Sequence, residues 1–434
     1  MRLFFLSIVI LLVAIYLQLG FFVYATYVLL GVLAISYYLT RNSVENLFVR
    51  RICSVEEAEV GDIAEIELRI DNNGSIPVPW VILEDSVPID ALMMKPPKIK
   101  IDGERMSIVS IGSKSQKKLT YKIEFHSRGY YQIGPTLLES GDVFGLNRRY
   151  RVLTKPIYIM VYPRVVPLVG FSLESRRPMG EVRMSHRLFE DPSRISGVRE
   201  YVTGDPLNRI HWKASARTGV LHCKTFEPSC VMGSTIVLDF HADNYPIEYE
   251  PYKSDLAVTT VISMANAISL LGQQIGLITN GRDAVDRLQQ EGYKTEFRSR
   301  NAAQENLGMK TSSDRLRPLI VPTRRGHDQF MQIRETLARV ELTDGLSFSQ
   351  LIEEARSRLV RDATIVAVLG KVDEDTAATL GSLRRQGFAV TAILIRFDEG
   401  ELATAMGRLI AEGIDTRRIN NIEDISYVCS QELV

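Results

Sequence analysis

Residues 3–39 contain no Asp, Glu, Lys or Arg, and nothing else in this 434-residue chain restricts its architecture as severely. The one break in that run is Gln18-Leu19-Gly20. Crossing the hydrocarbon core of a bilayer takes about 20 apolar residues. The pattern therefore predicts two short helices over residues 1–41, paired as a transmembrane hairpin. The run is too long for the apolar part of a signal peptide, and no small-x-small cleavage site stands out. Arg2 precedes the first helix, Arg41, Arg50 and Arg51 follow the second, and the turn between them is uncharged. The positive-inside rule then puts both ends in the cytoplasm, with the hairpin in the inner membrane and the soluble domains facing the cytoplasm.

Past residue 50 the hydrophobic period becomes two. Ala64, Ile66, Leu68 and Ile70 alternate with Glu65, Glu67 and Arg69, and Asp71-Asn72-Asn73-Gly74 follows as a turn. Similar runs at 78–87, 107–111, 117–125, 130–138 and 157–162 predict an antiparallel β-sandwich over 50–165. From residue 234 the pattern changes again. Apolar strands are predicted at 234–240, 274–279, 364–369 and 388–395, with helices at 254–273, 374–386 and 401–412, so a mostly parallel sheet covered on both faces occupies 234–434. Residues 166–233 connect the two. The fold class is multidomain α+β.

Charge and cysteines exclude some functions. The balance of 52 basic and 52 acidic residues argues against a mainly electrostatic nucleic-acid binder and points to protein partners. Cys53, Cys223, Cys230 and Cys429 have neither metal-ligand nor disulfide-framework spacing. There is no G-x-x-x-x-G-K-[ST] phosphate loop.

The densest polar chemistry lies at 197–227. Arg199-Glu200-Tyr201, Gly204-Asp205, Arg209, Trp212-Lys213-Ala214-Ser215-Ala216-Arg217, Lys224 and Glu227 mix both signs of charge with aromatics, the composition of a paired polar network or an interaction surface. His211 and Ser215 are hydrolase residue types, but four residues apart on one short segment they lack the separate elements of a triad, and no nucleophile elbow surrounds Ser215. An enzyme is not expected. The order of these residues resembles the signature of the domain-of-unknown-function-58 family. It departs at Pro206-Leu207-Asn208, where many members carry an acid, a Pro and an Arg. A second resemblance to that family lies in Arg128-Gly129, Tyr131, Gly134-Pro135, Asp142 and Phe144-Gly145-Leu146, with Val143 where members usually have Pro; its glycines and proline are turn residues.

The region after 234 resembles a von Willebrand factor A-like domain, the usual companion of the signature. In that fold the first strand often ends in D-x-S-x-S, whose oxygens hold a divalent cation. This chain has Asp239-Phe240-His241-Ala242-Asp243, which keeps the first acid and replaces both serines. Asp239, Asp243 and Thr279 are the candidate ligands of a degenerate Mg2+ site. Family members resemble adaptors that accompany MoxR-type AAA+ ATPases. The resemblance thus implies a membrane-anchored, non-enzymatic adaptor or assembly factor with such an ATPase as partner. The alternative is an envelope-exposed adhesion protein whose metal-dependent site recognises an external ligand.

Overall fold

The structure, a computed structural model, describes residues 2–141, 148–168, 190–201, 210–228, 233–286, 317–360 and 363–428. The uncharged run folds as two paired helices, Arg2–Tyr16 and Gly20–Glu45, which turn at Gln18 through a left-handed backbone (φ 53°). Phe5, Leu12, Tyr16, Phe21, Tyr24 and Val28 are exposed around both. The expectation of two membrane spans is corrected here, because no helix among the described residues is long and apolar enough to cross a membrane. The first helix has 15 residues, about 22 Å of rise against a hydrocarbon core of about 30 Å. The second continues through Arg41 to Glu45 into polar sequence.

Eleven strands follow: β1 Leu47–Cys53, β2 Glu57–Glu59, β3 Ile63–Asn72, β4 Val78–Asp85, β5 Ile99–Gly103, β6 Met106–Ile111, β7 Gln116–Phe125, β8 Gly129–Ile133, β9 Thr136–Gly141, β10 Arg148–Val152 and β11 Ile157–Tyr162. They form sheets ordered β1-β3-β7-β5, β10-β9-β4-β6 and β2-β11-β8. The alternation in β3 does what its period requires: Ala64, Ile66, Leu68 and Ile70 are fully buried. The single strand expected over 130–138 is two strands in different sheets. Gly134 (φ 89°) and Pro135, which has no N–H for a ladder, divide them. Beneath this corner the buried Arg51 pairs with Asp85, and Asp85 also accepts from the Tyr121 hydroxyl at 2.7 Å and the Thr136 hydroxyl at 2.9 Å.

The connecting segment supplies an antiparallel hairpin, β12 Glu190–Glu200 and β13 His222–Pro228, with the helix Trp212–Thr218 between its strands. The last domain holds β14 Gly233–Leu238, β15 Gln274–Thr279, β16 Arg282–Asp283, β17 Leu319–Arg324, β18 Val340–Glu341, β19 Ala363–Leu369, β20 Val390–Ile395 and β21 Asp415–Ile419. Six of these form one sheet, β17-β15-β14-β19-β20-β21, parallel except for β17. Its continuous apolar runs serve two cores. Ile236, Leu238, Val366, Val368, Ile393 and Ile395 enter one, and Val237, Ile365, Ala367, Leu369, Ala392 and Leu394 the other. The helix Tyr252–Leu270 lies in the first core and is buried along most of its length.

The sandwich and the α/β domain meet over that helix and over the helix His327–Arg339. Arg128, 9% exposed, leaves the turn before β8 and donates to the carbonyls of Leu337 (3.0 Å) and Val340 (2.6 Å). The Leu337 carbonyl belongs to the last turn of His327–Arg339, whose carbonyls have no partners inside the helix and carry the negative end of its dipole, and Val340 follows directly on the helix. The same guanidinium lies 3.4 Å from Asp255 and 5.3 Å from the centre of the Phe240 ring. Arg334 reaches back to Glu59 and stacks 4.4 Å over Tyr162. Arg128→Met should therefore cost about 3 kcal/mol, since it strands the mostly buried Asp255 and two carbonyls. Urea unfolding of the full chain reads this, and a loss under about 1 kcal/mol would mean that the junction does not depend on the guanidinium.

Candidate functional site

Two places concentrate polar side chains. The first is the signature hairpin. Arg199 faces Cys223 and Glu200 faces His222 across β12 and β13, and the Tyr201 N–H donates to Leu221 O at 2.8 Å. Gly204, Asp205 and Arg209 lie outside the described residues, as do the side chains of Lys224 and Glu227. His211 starts the short helix: its Nδ1 accepts the Ala214 N–H at 2.9 Å. Ser215 is buried. Its hydroxyl donates to His211 O at 3.1 Å and accepts the His222 N–H at 2.9 Å, tying helix to strand. Gly219 closes the helix in the left-handed region at φ 75°.

The signature thus divides by direction. Ile210, Ser215 and Cys223 face inward, whereas Trp212 is 68% exposed, Lys213 and Arg217 are exposed one helical turn apart, and Val220 and Leu221 project beside them. Neither His211 nor Ser215 is in a nucleophile–base arrangement, because the ring nitrogen and hydroxyl face backbone groups.

The second place is the carboxyl end of the parallel sheet, where the strand order reverses between β14 and β19. Open α/β sheets bind ligands in such crevices. Asp239 sits there, one residue past β14, 1% exposed, its N–H bonded to Val368 O of β19. Its Oδ1 accepts from Asn280 Nδ2 at 2.9 Å and from the His241 N–H at 3.4 Å, and its Oδ2 accepts from Asn244 Nδ2 at 2.6 Å. Tyr245 donates its hydroxyl to Asp239 O at 2.7 Å. Burial pushes the Asp239 pKa up, and the amides of Asn280 and Asn244 pull it back.

The other two candidate ligands are placed differently. The Asp243 side chain is 83% exposed, 3.7 Å from His241 Nδ1. Thr279 is buried, and its hydroxyl accepts the Gly281 N–H at 3.1 Å. Among the described residues no group of three or more His, Cys, Asp and Glu could hold a metal ion. Asn244, Tyr245, Lys253 and Asn280 are the polar residues that sequence reasoning missed. The available signal was the polar pair Thr279-Asn280 closing an apolar strand, of which only the threonine was considered.

The crevice is lined further by a buried cation. Lys253 Nζ donates to Gly370 O at 2.8 Å and lies 5.8 Å from the Tyr245 ring centre and 5.5 Å from that of Phe397. Its pKa is lowered by burial. Glu250, just before the helix that carries Lys253, accepts the Ser254 N–H at 3.0 Å, and its pKa is raised, chiefly by burial. A raised carboxyl pKa contributes stability that is present below the unfolded value and is lost as pH rises through the folded one. Glu250→Gln should therefore gain stability relative to the parent as pH rises from about 4 to 8. Urea midpoints at the two pH values check this, and an unchanged difference would show that Glu250 titrates as it does in the unfolded chain.

The family model described as "Protein of unknown function DUF58" matches residues 197–299, which take in the signature hairpin, β14 and Asp239. The chain is 22% identical over 361 residues to "Uncharacterized protein YeaD" of Bacillus subtilis (strain 168), a match that covers 82% of this chain and 77% of that one. Among solved structures, proximal thread matrix protein 1 from the mussel byssus is 10% identical with a TM-score of 0.29, covering 45% of each chain. The CARDB domain of a Pyrococcus furiosus protein is 22% identical with a TM-score of 0.18, covering 26% of this chain and 86% of the domain. Scores this low transfer neither fold nor function.

Proposed function

We propose that this chain is a non-enzymatic adaptor or assembly factor that binds a protein partner through the outward face of its signature helix. The observation that carries this reading is Trp212, 68% exposed beside Lys213 and Arg217 and near the exposed Val220 and Leu221. Trp212, Val220 and Leu221 are exposed large apolar side chains from one short stretch of sequence, and Trp with Arg is the composition of interface hot spots. The partner class, a MoxR-type AAA+ ATPase, comes from the family likeness in the signature. The structural duties of His211 and Ser215 favour adaptor over hydrolase.

The sheet order, with only β17 reversed, supports reading the last domain as von Willebrand factor A-like, a protein-binding module. The exposed apolar side chains of the hairpin support attachment of the adaptor to a membrane. A purified MoxR-type ATPase from the same cell should bind the detergent-purified full chain, and Trp212→Ala should weaken binding by about 2 kcal/mol, roughly thirtyfold, without changing Tm. Equal binding by the parent and by a folded Trp212→Ala, Arg217→Ala double variant would remove the signature face from the interface.

A further inference from the structure

Asp239 occupies the position where a divalent cation is expected of the fold, and the groups around it are the wrong kind. Mg2+ needs oxygen ligands close to octahedral geometry. The side-chain groups that reach this carboxylate are instead the amide nitrogens of Asn280 and Asn244.

Asn280 has no freedom to turn its oxygen inward. Its Oδ1 accepts the Phe240 N–H at 2.6 Å, and its Nδ2 donates to Leu346 O at 2.8 Å as well as to Asp239. Rotating the amide would face nitrogen to N–H and oxygen to carbonyl, breaking three hydrogen bonds in a buried place. The packing beside Asn244 is close. Tyr245 lies against Gly370, where an added Cβ would meet its ring at 3.1 Å and Asn244 O at 2.8 Å. The Lys253 amine occupies the crevice as well, bonded to Gly370 O. Asp243, which would have to supply a second carboxylate, points into solvent.

We propose that the Asp239 centre is an internally liganded carboxylate, locked by the Asn280 and Asn244 amides, that takes no divalent cation, so that the chain engages its partner independently of metal. The consequence for partner binding rests on the adaptor reading; the lock itself does not.

The test is titration of the detergent-purified full chain with Mn2+, following free ion by electron paramagnetic resonance, alongside Tm in Mg2+ and in EDTA. The parent is expected to bind no stoichiometric Mn2+ at millimolar concentration and to melt at the same temperature in both media. Asn244→Asp with Asn280→Asp exchanges donors for oxygen ligands and should bind Mn2+ at least tenfold more tightly than the parent. One Mn2+ per parent chain, lost in Asp239→Asn, overturns the proposal even if the double variant does not fold. Mn2+ that survives Asp239→Asn lies elsewhere and upholds it. Failure of the adaptor reading would appear separately, as an ATPase that never binds while the Mn2+ result stands.

Discussion

The junction at Arg128 is the interaction on which the arrangement of the molecule depends. A sandwich and a two-faced α/β sheet each bury their own core and have no intrinsic reason to adopt one relative orientation. The Arg128 guanidinium helps to set it by donating to the carbonyls of Leu337 and Val340, approaching Asp255 and covering Phe240. Its planar fork can address carbonyls, a carboxylate and a ring together, which a lysine cannot. The two carbonyls and the carboxylate would be poorly satisfied without it, so the domains are joined in part by complementary polar need.

How much of this could be read from the sequence varied with how local the cause was. The period-two run in β3 and the apolar strands β14, β15, β19 and β20 were legible because their periodicity reports burial directly. β21, Asp415–Ile419, was not, since an edge strand bearing Asp415, Arg417 and Arg418 lacks that signal. Gly134-Pro135 was recognised as turn chemistry, yet a strand was still drawn through it. The hairpin was legible as two helices broken near Gln18. Its membrane crossing was inferred from total apolar length, whereas the chain divides that length into a short first helix and a second with a polar end.

The candidate sites show the same limit. Asp239 stood out because it keeps the first acid of a D-x-S-x-S pattern at the end of an apolar strand. Its partners did not, since Asn280 is 41 residues away and reaches it only when β15 pairs with β14. In the signature, residue types suggested a polar cluster but not its partition. Ser215, a hydrolase residue type, is a tie between helix and strand, while Trp212, one of the aromatics of the cluster, stands in solvent. Direction relative to the surface comes from tertiary structure, and composition alone carries none of it.

Phe240 links the Asp239 centre to the domain junction. Phe240 gives its N–H to Asn280, which holds Asp239, and its ring to Arg128, which belongs to the sandwich. Its carbonyl accepts from Thr343, just past β18, and Val340 of that strand also supplies a carbonyl to Arg128. The loop after β14 is thus fixed on one side by the amide lock and on the other by the neighbouring domain. Moving Asp239 by even an ångström would disturb the Phe240 backbone bond, and moving the sandwich would draw Arg128 off the Phe240 ring. Because packed interiors have discrete arrangements and little compressibility, such a loop does not yield gradually. The crevice and the domain junction therefore form one mechanical unit, whose geometry is set by hydrogen bonds that the chain makes to itself.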